Sequence, residues 1–165
     1  MTTIACDGRI LAADTMMTLG NERIYGVQKI KVRDGRAYAI SGIGAMLDPL
    51  IDWHVAGHVA LDAPKLGGDE TWSLLVINAV GKLSYFTNTA PYPLAVPAPF
   101  AMGSGQDYAM GMMKGAGKTA VQAVEFCCKQ DLYTGGEVHA VNLVNMAFMT
   151  DSGAIKHAAG SMSLT

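Results

Sequence analysis

Short alternating runs of apolar and polar positions open the chain. Residues 2–6 (TTIAC) and 10–14 (ILAAD) are β-type runs on either side of Asp7-Gly8, a pair favoured in type I′ turns, so the pattern predicts a starting hairpin. Antiparallel pairing brings residue 2 and Asp14 to the same end of that hairpin. Residues 18–25 contain Gly20-Asn21 and read as a turn. Residues 27–33 (VQKIKVR) alternate again before a second Asp-Gly pair, Asp34-Gly35, and residues 36–41 (RAYAIS) return.

The period then changes. Between residues 45 and 61, Met46, Leu50, Trp53 and Val59 recur at helical spacing and predict a long helix. A Gly/Pro loop over 62–69 leads to strands 72–79 (WSLLVINA) and 82–87 (KLSYFT), joined at Val80-Gly81. The Pro-rich segment 91–99 reads as an extended linker or surface loop, because proline donates nothing to a ladder. A short helix is expected over 107–114. A second long one is expected over 119–130, opened by the capping-box pair Thr119 and Gln122. Residues 138–144 and 147–150 read as strands, and the tail from Ile155 is expected to fray. Strands, two long helices and strands again predict an α+β fold with sheets packed on each other and helices outside, in a single domain over residues 1–165.

Composition narrows the classes of function. Half of the 165 residues are hydrophobic and 16% are charged, so part of the surface is expected to be covered by partner subunits. A net charge of −2 offers no basic field, and nucleic acid is not an expected partner. The odd cysteine count, Cys6 with the adjacent Cys127 and Cys128, fits small core residues in a reducing cytoplasm. No basic-then-apolar leader and no apolar run near the ~20 residues of a membrane span is present, so a cytoplasmic protein with no membrane partner is expected.

The chemistry centres on Thr2. Once Met1 is removed, Thr2 joins a hydroxyl nucleophile to its own α-amine as general base. Around it, Met1-Thr2-Thr3-Ile4, Ala12-Ala13-Asp14 with Thr18-Leu19-Gly20-Asn21, Lys29-Ile30, Ile40-Ser41-Gly42, Gly103-Ser104-Gly105 with Tyr108-Ala109, and the run from Asp131 to Gly136 (DLYTGG) occur in order. This ordered set resembles the proteasome β-subunit and HslV family of N-terminal nucleophile (Ntn) hydrolases.

The resemblance implies a four-layer αββα sandwich and a threonine-type endopeptidase that uses no cofactor. It casts Thr2 as nucleophile, Asp14 as anchor of a lysine that tunes the amine, and the Gly42 N–H as oxyanion donor. Lys29 and Lys31 share a strand face, so alternation does not separate them. Spacing to Gly42 and the aliphatic residue that follows favour Lys29 by resemblance. Ser104, Asp131 and Thr134 correspond to the family's auxiliary group, with threonine at 134 where many members have serine. Met16, Ile40 and Ala45 are the implied substrate-pocket residues, small apolar neighbours suited to hydrophobic substrate side chains. Implied partners are protein or peptide substrates, a homo-oligomer of stacked rings (dodecamer or tetradecamer), and an ATPase unfoldase. The alternative is a non-catalytic, ring-forming structural subunit of the same fold.

Two other patterns carry less. Gly117-Lys118-Thr119 resembles the end of a P-loop, but Met112 occupies the position that requires the first glycine. His54 and His58 are four apart on the predicted helix without His-Glu-x-x-His or a third ligand, so no metal is expected.

Overall fold

The computed structural model describes residues 1–150 and the backbone of Ile155–Lys156. The expectation for the tail otherwise lies outside the described residues. In chain order the elements are β1 (Thr3–Cys6), β2 (Ile10–Ala13), β3 (Met17–Leu19), β4 (Glu22–Ile24), β5 (Ile30–Arg33), β6 (Arg36–Gly42) and α1 (Leu47–Val55). There follow β7 (Trp72–Ile77), β8 (Leu83–Thr87), β9 (Leu94–Val96), β10 (Phe100–Gly103), α2 (Gln106–Met110), α3 (Ala120–Gln130), β11 (His139–Asn142), β12 (Ala147–Met149) and β13 (Ile155–Lys156).

They make an α+β structure with two principal antiparallel sheets, ordered β10-β1-β2-β11-β12-β13 and β5-β6-β7-β8-β9, and a small β3-β4 hairpin. Alternation along each strand sorts the layers. Ile4, Cys6, Leu11 and Ala13 of the first sheet meet Ile30, Ala37, Ala39, Leu75 and Ile77 of the second in one apolar layer. The intervening Ala5, Ala12 and Ala140 face α2 and α3 through Ala109, Ala120, Ala123, Val124 and Cys127. On the other side Tyr38, Ile40, Leu74 and Val76 pack against Leu47, Leu50, Ile51 and Trp53 of α1. Helix, sheet, sheet and helix are thus stacked as αββα. The alanines of the first sheet let α3 lie close to the strands, and the large side chains of the second hold α1 further out.

Several elements depart from the pattern-based reading for local reasons. The Asp7-Gly8 turn is displaced by one residue: Cys6 pairs with Leu11, Gly8 has φ 97°, and Arg9 does not share its positive φ, so the turn is not type I′. Asp34 and Gly35 both have positive φ and match the type I′ expectation. The segment read as a turn over 18–25 is the β3-β4 hairpin around Gly20-Asn21. The helix expected to reach residue 61 stops at Val55. Gly57 takes φ 110°, His58 N–H bonds the Trp53 carbonyl, and Gly57 N–H bonds the His54 carbonyl, the two bonds of a Schellman cap. The Pro-rich stretch is more than a linker, because β9 is the edge strand on β8, where proline at its flanks breaks no ladder. The chain then crosses to the other sheet as β10, the edge strand on β1. The Thr119 capping box forms as expected, its hydroxyl accepting from Gln122 N–H while Gln122 Oε1 accepts from Thr119 N–H.

Candidate active site

The site lies at one end of the sheet pair, where the first hairpin brings Thr2 beside Asp14. Ile4 pairs with Ala13, so the residues just outside the ladder converge. Thr2 Oγ1 donates to Asp14 Oδ1 at 2.6 Å, and both residues are buried. The same oxygen accepts from Lys29 Nζ at 2.8 Å and from Thr3 N–H at 3.0 Å. The other carboxylate oxygen accepts from Gly135 N–H at 3.1 Å and Met16 N–H at 3.3 Å. Lys29 Nζ also donates to the Met16 carbonyl. Asp14, with 0% exposure, is therefore a buried charge compensated by one cation, one hydroxyl and three backbone donors.

The two lysines that alternation left together separate in space. Lys29 precedes β5, is 5% exposed and turns into the space beside Asp14. Lys31 lies within β5 on its outer face and pairs with Asp48 of α1 at 2.6 Å, while Arg33 reaches Asp52 one helical turn on. Burial pulls the Lys29 pKa below 10.5 against the opposing attraction of Asp14.

A second group meets Thr2 from the other side. Ser104 N–H donates to the Thr2 carbonyl at 2.7 Å, and Ser104 Oγ donates to Asp131 Oδ2 at 2.6 Å. Thr134 Oγ1 donates to that same oxygen at 2.6 Å and lies 2.7 Å from Thr3 Oγ1. Asp131 is the C-cap of α3, and its Oδ1 accepts from Tyr133 N–H at 3.2 Å, which holds the carboxylate toward Ser104. Burial alone would raise the Asp131 pKa, but the hydrogen bonds from Ser104, Thr134 and Tyr133 hold it below its ordinary value.

Glycines make this close approach feasible. A Cβ at Gly103, where φ is 96°, would stand 2.0 Å from the Thr2 carbonyl oxygen, and one at Gly105 would stand 2.1 Å from Thr3 Oγ1. Sequence reasoning missed Thr3, Gly103, Gly105 and Gly135 as structural members of the site. The repeated Thr-Thr and Gly-Gly pairs were the available signal, although a backbone donor such as Gly135 N–H has no side-chain signature.

Thr2 opens onto a cleft of about 330 Å³ whose wall includes Met17, Leu19, Val27, Ile40, Gly42, Ile43, Ala45 and Glu70. Ile40 and Ala45 thus line the cleft with Gly42. Met16 does not: it is 1% exposed beneath Gly135, and Met17, the next residue in the chain, takes the wall position. Met1 also lines the cleft, its α-amine pKa lowered by burial and by Lys29 against the pull of Asp14 and Asp131.

The thiols are poor nucleophiles. Burial pushes Cys6, Cys127 and Cys128 each up to about 11. Among the described residues no group of three potential metal ligands converges. His54 and His58 instead stack at 5.0 Å, with the His54 ring beside the Tyr38 hydroxyl.

No protein-family model matches the sequence, and no curated protein matches it. Solved structures do match. Thiobacillus denitrificans BPH in complex with epoxomicin aligns over 86% of this chain and 98% of its own, at TM-score 0.65 and 19% identity. Another Thiobacillus denitrificans BPH structure aligns over 86% and 97%, at TM-score 0.61 and 16% identity. Eukaryotic HslV from Trypanosoma brucei aligns over 86% and 98%, at TM-score 0.59 and 15% identity. The chain has the proteasome-like Ntn fold. At such identities the likeness is one of fold. The proteasome-like architecture accounts for the layer order. No helix among the described residues is long and apolar enough to cross a membrane.

Proposed function

We propose that this protein is a threonine-type endopeptidase in which Thr2, freed by removal of Met1, is the nucleophile. The observation that carries the reading is the shared Asp14 oxygen, which holds Thr2 Oγ1 at 2.6 Å and Lys29 Nζ at 2.8 Å beside an open cleft. That arrangement orients the hydroxyl and keeps the Lys29 cation on the same carboxylate oxygen, which supports a tuning role for Lys29 once removal of Met1 makes the Thr2 nitrogen an amine. A nearby ammonium lowers the pKa of such an amine from its usual ~8 and keeps it able to accept a proton at neutral pH.

In the proposed step Thr2 Oγ attacks the scissile carbonyl carbon while its proton passes to the Thr2 amine. The carbonyl π pair moves onto oxygen, and the oxyanion is stabilised by the Gly42 N–H, a contribution typically worth ~3 kcal/mol or more. Collapse expels the substrate nitrogen with a proton from the amine and leaves an ester on Thr2. Water, deprotonated by the same amine, hydrolyses the ester and returns the proton to Thr2 Oγ. Ser104 fixes the Thr2 carbonyl, Asp131 orients the hydroxyls of Ser104 and Thr134, and those hydroxyls are available to that water. The binding of epoxomicin by BPH of the same fold supports an inhibitor-accessible site of this type.

The same reading includes stacked homo-oligomeric rings in the cytoplasm, with an ATPase unfoldase feeding protein substrates. The low charge content and exposed apolar residues such as Leu19, Tyr25, Leu132 and Tyr133 near the site support covered surfaces.

The test pairs intact mass of the protein from its native host with treatment by epoxomicin. The expected result is a Met-free chain carrying one adduct, lost in Thr2→Ala with the oligomer unchanged. Retained Met1, or a Met-free chain that forms no adduct, overturns the peptidase reading and favours a structural ring subunit.

A further inference from the structure

The cleft beside Thr2 is asymmetric in charge. Its walls are apolar at Met17, Leu19, Val27, Ile40, Ile43 and Ala45, and the ionisable side chains that line it are Lys29 and Glu70. Lys29 is occupied, bonded to Asp14 and the Met16 carbonyl and 5% exposed. Glu70 is exposed, and its hydrogen bond is made by its backbone carbonyl, which accepts from Asn88 Nδ2 at 3.3 Å. Among the described residues no group pairs with the Glu70 carboxylate. The rim of the cleft therefore carries a carboxylate to which no described residue is bonded.

Its position is built into the fold. Gly42 pairs with Trp72 at the end of β6 and β7, and a Cβ at Gly42 would stand 2.2 Å from the Thr71 carbonyl oxygen. Lack of a side chain at 42 thus lets the segment before β7 close onto the cleft. Asn88 clamps that segment, with its Oδ1 accepting from Trp72 N–H at 3.2 Å and its Nδ2 bonded to Glu70. The same glycine that lines the cleft beside Thr2 brings a carboxylate to the rim.

We propose that Glu70 is a specificity-determining residue, selecting peptides that place an arginine or lysine side chain in this cleft. The inference rests on the peptidase reading and deepens it. A long cationic side chain matches both features, its methylenes lying on Val27, Ile40 and Ala45 and its charged head reaching the rim. A purely apolar side chain would use the walls and leave the carboxylate unanswered. Hydrophobic substrates alone, the expectation from the small apolar neighbours, therefore describe only part of this surface.

The test uses Met-free protein and two tripeptide vinyl sulfones that differ only in arginine or citrulline beside the warhead, citrulline being nearly isosteric and neutral. The readout is the labelling rate of Thr2 by intact mass. The wild type should label about fivefold faster with arginine, the range of a partly exposed ion pair. Glu70→Gln should bring the ratio near one, and Glu70→Lys should invert it. A ratio that neither substitution moves, with Thr2 still labelled, overturns the role of Glu70 and leaves the peptidase reading standing. Failure of both reagents to label the wild type overturns both.

Discussion

Removing the Asp14 carboxylate should cost more stability than removing the lysine that pairs with it. In Asp14→Ala the Lys29 ammonium, 5% exposed, keeps only the Met16 carbonyl, and the N–H groups of Thr3, Met16 and Gly135 lose their acceptor. Leaving one member of a buried pair without its partner costs about 3–5 kcal/mol. In Lys29→Met the carboxylate retains the Thr2 hydroxyl and three backbone donors, so the expected cost is about 1–2 kcal/mol. The double variant should be about 2 kcal/mol more stable than the sum of the two losses, because the uncompensated ammonium is gone. For a chain of this size Asp14→Ala alone lowers Tm by about 6–20 °C.

Urea unfolding at matched protein concentration measures all four corners of this cycle. Trp53 and Trp72, both buried between the second sheet and α1, supply the fluorescence signal. Lys31→Ala is the control: its pair with Asp48 is exposed and should contribute less than about 1 kcal/mol. The pH dependence gives an independent check. Because folding lowers the Lys29 pKa below 10.5, the unfolded chain binds more protons between the two values. Stability from this group therefore rises with pH through that window, and Lys29→Met should lose the slope. An Asp14→Ala cost below about 1 kcal/mol, or additivity within about 0.5 kcal/mol, would refute the picture of Asp14 as the acceptor that holds Lys29 in place.

Gly105→Ala should destabilise the chain by about 2–3 kcal/mol and displace Thr3, since the new Cβ would stand 2.1 Å from Thr3 Oγ1 and 3.1 Å from Cys127 Sγ; thermal unfolding measures the loss. Acid should weaken the α1 layer through His54, whose pKa burial, His58 and Arg36 together lower from 6.5 to about 4. The unfolded chain takes the proton first, so stability falls as pH drops from 6.5 towards 4. Discounted for the half-exposed ring the effect is about 1 kcal/mol, and His54→Phe should flatten the urea midpoint over that range.

The layers were legible because alternation and helical spacing are properties of side chains in order. Ile4 and Ala5 point oppositely in the strand as their positions require, and Thr119 caps α3 with the residues that signal a cap. The proximity of Thr2 and Asp14 followed from hairpin geometry alone. Lys29 was harder, because alternation applies only inside a strand and β5 begins one residue later. Edge strands were under-read for a related reason: β9 and β10 each pair on one side, so flanking prolines and a glycine with positive φ do not disqualify them. The three backbone donors on Asp14 had no expression in residue type, and the Gly135 N–H reaches the carboxylate only through the way Asp131–Gly136 folds against residues 14–16.

The division of labour within the site bears on what Met1 controls. Asp14, Lys29, Ser104, Asp131 and Thr134 hold one another through bonds that do not use the Thr2 nitrogen. Thr2 itself is fixed through its hydroxyl and its carbonyl. Its nitrogen, still an amide to Met1, has no lone pair available as a base. Cleaving that one bond would change the amide to an amine without requiring any of these contacts to break. The surrounding contacts preorganise the hydroxyl, and in the proposed mechanism removal of Met1 would supply the missing base. On this reasoning a Met-retaining chain is a folded, inert subunit, and the difference between the two proposed roles is a covalent one at the Met1–Thr2 bond.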